Sequence, residues 1–383
     1  CPTRVMMRVL QLLTAVVPAL SVIERVTDDT PLNQVPMIQA HDAASGYLRN
    51  GLVNNWAKTQ SCTMYDQLQN GARSFDPRLN VINGELKYNH GKVDIDHLFE
   101  DSLAELTRWA SENPDQLVTL PISKESCDGT GCEGMVDDAL ERFGVPNVQH
   151  CAELTGMTFG EAKERAQLPG GGMLLAITGS SQPTGVACSF GNYRPKNACS
   201  GFSPAGKRRY PAAVDACFAQ SGAVSGVDPS AVLEPEQVRG LAECASTLLA
   251  AARTNATLAA DVKVATAAAH TYGCWQTDET KHLPFDRLFD SLDEVSAAAV
   301  LRHNETYNFQ LQAFWEETVE SIVIGQLRFS SLVKDENRAK LNKNLAAAVL
   351  EGRWERINYF MVNDVCNNGL DIFAALQQVF GPY

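Results

Sequence analysis

The chain has 383 residues, 45% hydrophobic and 20% charged, which places it in the ordinary globular range and makes it long enough for one large barrel or two modest domains. A formal net charge of -13 argues against a nucleic-acid binder, which needs a basic stripe to displace counterions from phosphates, and it repels strongly anionic membranes on average. In chain order, Met7 and Arg8 precede the apolar run from Val9 to Val17, followed by Pro18 and Ala19. This is the pattern of a secretory signal over about residues 1–20, and it is too short for a bilayer span of roughly 20 apolar residues. The chain opens on Cys1 rather than methionine, which leaves its true start open. From Leu32 onward short apolar runs alternate with helical patterns, the rhythm of parallel strands joined by crossover helices. Strands are predicted at 35–40, 72–79, 86–89, 117–123, 173–178, 321–327 and 357–363. A helix is predicted at 95–112, with Leu98, Phe99, Leu103 and Leu106 on one stripe and Asn113-Pro114 as its stop. A stretch at about 179–284, rich in Ser, Gly, Pro, Ala and Cys and helical around 241–269, reads as an insertion on a barrel spanning 30–383.

Eleven cysteines, scattered without paired zinc spacing, favour disulfides and an oxidising compartment, and Cys127 and Cys132 are near enough to close a small loop. Asn255-Ala256-Thr257 and Asn304-Glu305-Thr306 are glycosylation acceptors consistent with a secreted protein.

The informative segments follow the early strands. Gln39-Ala40-His41-Asp42 ends the first, Gly71-Ala72-Arg73-Ser74-Phe75-Asp76-Pro77-Arg78 runs along the second, and Asn89-His90-Gly91 ends the third. In a parallel barrel the strand C-termini form the active face, so a His-Asp pair there reads as catalytic. His41-Asp42 alone would be an ordinary helix-capping dipeptide; His90 and Arg78 in step with it make joint chemistry the better reading. Arg73 is read as structural, paired with Asp76.

This arrangement resembles the catalytic X domain of phosphatidylinositol-specific phospholipase C, the bacterial form in particular, over residues 32–125 and more loosely over 358–369. The resemblance implies an irregular (β/α)8 TIM-type barrel and a phosphoric diester hydrolase using two histidines. His41 would be the base, His90 the acid, Arg78 the stabiliser of charge on the non-bridging oxygens, and Asp42 the orienting carboxylate. Lys124 matches a family position lining the substrate pocket. The family also places a carboxylate on the last strand behind the base; counting from Asn358 reaches Asn363, with Asp364 next to it. Neighbouring strand residues point to opposite faces, and Asp364, the carboxylate, is the expected partner.

Calcium-dependent relatives, and magnesium-dependent glycerophosphodiesterases and sphingomyelinases D, put a carboxylate where this chain has Arg78. Hard cations require such oxygens, so no cofactor is expected, while the retained Asp76 keeps calcium or magnesium open. The competing readings are a metal-dependent enzyme of that kind and a secreted, non-catalytic phospholipid-binding barrel. The expected partners are a phospholipid or other phosphodiester and a transient membrane surface, with no nucleic acid, for a secreted monomer.

Overall fold

The computed structural model describes residues 25–123, 127, 129–179, 187–191, 210–220, 235–270, 283–301, 308–315 and 319–382. The expected signal segment, Lys124, Cys199, Cys274 and Asn304 lie outside the described residues.

The strands are β1 (Met37–Ala40), β2 (Ala72–Phe75), β3 (Leu79–Ile82), β4 (Glu85–His90), β5 (Val93–Ile95), β6 (Leu117–Pro121), β7 (Asn147–Val148), β8 (Met173–Ile177), β9 (Ser189–Gly191), β10 (Asn308–Gln312) and β11 (Tyr359–Val362). Eight of them form one sheet in the order β7-β8-β6-β2-β1-β11-β10-β9. Every pairing in it is parallel. β1, β6, β8, β10 and β11 are buried at every residue, so the polar side chains that they carry must find hydrogen-bond partners inside the protein. The two edges, β7 and β9, are joined just beyond their ends by the Cys151–Cys188 disulfide. Gly179 lies against that bridge: a Cβ there would come within 2.4 Å of the Cys188 sulfur. The result is an irregular (β/α)8-type barrel.

Side chains inside the barrel alternate with those under the outer helices. Inside, Gln310 donates to Gln39 at 2.9 Å, Gln39 donates to Ser74 at 3.2 Å, and Asn308 donates to the Tyr359 hydroxyl at 3.1 Å. Outside, Arg73 stacks between Trp109 of the helix Phe99–Glu112 and Phe373 of the helix Gly369–Phe380, and donates to Gln116. Arg73 is therefore held among aromatic rings, Gln116 and the Leu68 and Ala72 carbonyls, while the Asp76 carboxylate lies on Arg78.

Several predicted elements differ. The run 72–79 breaks at Pro77, and β3 leaves the barrel to pair antiparallel with β4 through the two-residue turn Asn83-Gly84, both at positive φ, the usual hairpin signal. The strand predicted at 86–89 thus belongs to a separate β3-β4-β5 ribbon. The helix predicted from 95 starts at Phe99, because Val93–Ile95 completes that ribbon.

The strand predicted at 321–327 is instead part of the helix Val319–Leu327. A short run buried on all sides suits either state, and here tertiary packing decides. Ile322, Val323, Ile324 and Leu327 join Leu241, Ala245, Leu248 and Trp56 in a second hydrophobic cluster. Gly325 meets the Trp56 ring so closely that a Cβ would fall 2.2 Å from it. That cluster is built on helices of the Ala-rich stretch, Pro235–Ala252 and Ala256–His270, and Asn255 caps the second by accepting from Thr257 N–H at 3.0 Å.

Candidate active site

The inward-facing series on β1 runs Met37, Gln39 and then His41, which sits at the strand's C-terminal mouth. On β11 it runs Tyr359, Met361 and then Asn363. Because Ala40 is in register with Val362 and His41 N–H donates to the Val362 carbonyl at 3.1 Å, residues 41 and 363 are lateral neighbours. The His41 Nδ1 to Asn363 Oδ1 distance is 2.8 Å. Both strands then turn through a left-handed residue, Asp42 at φ 42 and Asp364 at φ 43, a conformation that aspartate tolerates better than most.

The turn at 364 corrects the expectation that Asp364 backs His41. Asp364 points away from the ring, accepts from Ser61 Oγ and from Ser61 N–H at 3.2 Å, and accepts from Asn337 Nδ2 at 2.6 Å. It pins the 59–61 segment instead, next to the Cys62–Cys366 disulfide.

The ribbon delivers the other residues. Leu79 pairs with Tyr88, and Asn89 N–H donates to the Arg78 carbonyl at 2.9 Å, so β4 returns over the mouth and ends at His90 beside Arg78. Asp42 is the hub: its carboxylate lies 2.5 Å from Arg78 Nε, 3.2 Å from His90 Nε2 and 3.3 Å from His41 Nε2. A carboxylate with 1% of its side chain exposed needs a fixed cation beside it, and the Arg78 guanidinium is that cation. Asp76 lies 3.2 Å from Arg78 Nη2 and accepts the Asp42 backbone N–H at 3.3 Å. With a third of its side chain exposed, Arg78 presents its fork to the mouth, while His41 is nearly closed off.

The two imidazoles, 6.5 Å apart by ring centre, have different surroundings. His41 stacks on Phe314 at 3.8 Å, and its Nε2 faces Arg78 Nη2 at 3.2 Å. Burial pushes its pKa below the ordinary 6.5; the Asp42 charge opposes this and Arg78 adds to it, so the ring is neutral near pH 7. His90 donates from Nδ1 to the Ala57 carbonyl at 2.5 Å, while its Nε2 faces the Asp42 carboxylate. Each of its nitrogens thus faces an acceptor.

The structure therefore brings His41, Asp42, Arg78 and His90 together as the sequence suggested. Lys124 falls outside the described residues, and Asp364 belongs to the wall behind. Sequence reasoning missed Phe314, the Ala57 carbonyl and Glu336. Glu336, from the helix Leu332–Ala339, is 3% exposed and accepts with Oε1 from Trp315 N–H at 2.9 Å and from Asn363 Nδ2 at 3.1 Å. Burial is the main cause raising its pKa to about 8, with Asp364 and Asp335 adding to the effect.

That shift has a consequence for stability. Between 4.5 and about 8 the folded protein keeps a proton that the unfolded chain has lost, so this group erodes stability as pH rises through that window, by up to about 1.4 kcal/mol per pH unit. Glu336→Gln should gain on the wild type in urea unfolding between about pH 5 and about pH 8. A pH-independent difference would mean the carboxyl titrates normally.

His41, Asp42 and Asp76 each offer a ligand atom within 4.8 Å of the others, a donor set that could attract a cation. The Arg78 guanidinium already lies on both carboxylates, and it supplies positive charge without being able to ligate a metal.

Fold and site together define a class: an α/β barrel whose strand ends hold two imidazoles around a carboxylate-bound guanidinium. No protein-family model matches the chain. Over 102 residues, 26% of this chain, it is 24% identical to the 1-phosphatidylinositol phosphodiesterase of Staphylococcus aureus (strain Newman), so the match spans 33% of that curated relative's length. Among solved structures, a mutant of phosphatidylinositol-specific phospholipase C from Staphylococcus aureus overlaps with a TM-score of 0.45 at 13% identity, covering 94% of this chain and 96% of that one. Phosphatidylinositol-specific phospholipase C from Listeria monocytogenes overlaps with a TM-score of 0.46 at 11% identity, covering 91% and 96%. These names belong to the family that the early motifs resemble.

Proposed function

We propose that the chain is a phosphoric diester hydrolase of the phospholipase C type, acting on phosphatidylinositol or a glycosylated form of it. The observation that carries this reading is the Asp42 carboxylate holding Arg78, His41 and His90 at one mouth, with a donor beside His41 Nε2 and acceptors at both nitrogens of His90. His41 Nε2 takes the proton of a hydroxyl on the substrate's own alcohol, and that oxygen attacks phosphorus. Arg78 balances the charge gathering on the non-bridging oxygens, and the bond to the other alcohol breaks as His90 Nε2–H protonates the departing oxygen. The products are a cyclic phosphate and a free alcohol. Water can then open the ring with the two histidines exchanging roles.

In this reading Arg78 stands where a metal would, no cofactor is used, and the protein works as a secreted, disulfide-bonded monomer on a membrane surface, with no nucleic-acid partner. A metal-dependent reading draws on the spacing of His41, Asp42 and Asp76.

The test is incubation of the purified full chain with a panel of phosphodiesters, including phosphatidylinositol vesicles, in excess EDTA, followed by phosphorus NMR. A cyclic phosphate is expected. Turnover that disappears in EDTA and returns with magnesium would favour the metal-dependent alternative, and headgroup binding without turnover would favour a non-catalytic barrel. The acid limb of kcat/KM is expected below the ordinary histidine value of 6.5, because it reports the depressed His41.

A further inference from the structure

We propose that Glu336 is a positioning residue: by accepting from the Asn363 amide it holds that amide's carbonyl on His41 Nδ1, and so fixes the tautomer in which His41 Nε2 keeps its lone pair toward the mouth. This inference rests on the reading of His41 as the base, and it concerns a buried group to which the chemistry above gives no role.

An asparagine side chain has a donating and an accepting end, and which end faces the ring decides where the ring carries its proton. Asn363 Nδ2 has two acceptors on its far side, Glu336 Oε1 at 3.1 Å and the Trp315 carbonyl at 3.4 Å. The Trp315 contact is long, so Glu336 is the stronger anchor. Turning the amide over would set its oxygen against both of these oxygens and its NH2 against His41 Nδ1, which would drive the imidazole proton to Nε2. A base protonated at Nε2 cannot take a proton there.

Around Nε2 the two neighbours oppose one another, Arg78 Nη2 at 3.2 Å being a donor that favours the same tautomer and the Asp42 carboxylate at 3.3 Å an acceptor that favours the other, which leaves the amide at Nδ1 to decide. Glu336 Oε1 is itself held by Trp315 N–H at 2.9 Å, so the anchor is fixed by the backbone segment that also carries Phe314 against the His41 ring.

The arrangement requires an oxygen acceptor at position 336, and it does not require a charge. A carboxyl protonated near pH 7 still offers its carbonyl oxygen, which agrees with burial among Asp335 and Asp364 having raised its pKa. The charged groups around His41 itself are Asp42, Asp76 and Arg78. Glutamine at 336 should therefore serve as well as glutamate, and leucine should not.

The test is nitrogen NMR of the His41 ring, assigned by loss of its signals in His41→Gln, alongside steady-state kinetics on phosphatidylinositol vesicles. In the wild type at a pH where the ring is neutral, Nδ1 should carry the proton and Nε2 should be bare. Glu336→Gln should keep that tautomer with kcat within a few-fold. Glu336→Leu should move population to the Nε2–H form and lower kcat by about tenfold to 100-fold, the loss common when an outer partner of a functional histidine is removed, with KM nearly unchanged.

A wild-type ring protonated at Nε2 would overturn the inference, and that measurement needs no variant. A loss in Glu336→Gln as deep as in Glu336→Leu would also overturn it, because charge would then be what matters, as would a leucine variant of unaltered tautomer and rate. The ring can be observed whether or not any diester is cleaved. A correct tautomer without turnover would therefore sink the proposed function alone, and turnover with the wrong tautomer would sink this inference, and with it the role of His41 Nε2, while leaving the diester-hydrolase reading standing.

Discussion

Alanine at His41 is expected to slow cleavage of an alkyl phosphodiester and of an activated aryl phosphodiester alike, by about 100-fold to 10,000-fold, whereas alanine at His90 should slow the alkyl ester by a similar factor and largely spare the aryl one. The difference follows from what each ring is set up to do. His41 is neutral, and its Nε2 faces a guanidinium donor, so it can receive a proton whatever the leaving group is. His90 has an acceptor at each nitrogen, the Ala57 carbonyl and Asp42, and is prepared to give a proton away. An alkoxide needs that proton to depart, and an aryl oxide of low basicity does not. Equal losses on both substrates in the His90 variant would remove its assignment as the acid, and near-normal turnover in either variant would contradict the proposed chemistry.

Lysine at Arg78 keeps the positive charge and should still cost about 100-fold to 1,000-fold, mostly in kcat. The guanidinium uses separate nitrogens for Asp42 and Asp76 while presenting its plane to the mouth. An ammonium is a single point with a different reach, so it cannot hold both carboxylates and two phosphate oxygens together. A lysine variant within a few-fold of the wild type, measured in EDTA, would show that charge alone suffices and that the fork does not matter.

The parts of this site that were legible in the sequence are those written as local strings. His41-Asp42 closes a buried strand, and a guanidinium and a second imidazole follow at the ends of the next two segments. The signals for the ribbon were also there, in Pro77 and in Asn83-Gly84, but a run read as a single strand hid them. Alternation along the last strand selects Asn363: with Tyr359 and Met361 facing the barrel interior, the next inward position is 363. Preferring Asp364 for its charge overrode that geometry.

Glu336 could not have been found this way. Its partner lies on another element, and nothing in Leu332-Val333-Lys334-Asp335-Glu336-Asn337 distinguishes a buried anchor from a solvated helix face. The run at 321–327 failed for the converse reason: its composition fits a strand, and only the cluster around Trp56 makes it helical.

The first strand of the barrel lies between the second and the last, and 322 residues separate His41 from the amide that holds it. A chain made only as far as Trp354 would already carry both imidazoles and the guanidinium, yet the slot beside the first strand would be open and His41 would have nothing to orient it. Closing such distant ends is slow compared with local helix formation. His41 is therefore oriented only once the strand Tyr359–Val362 has been made and has docked beside the first.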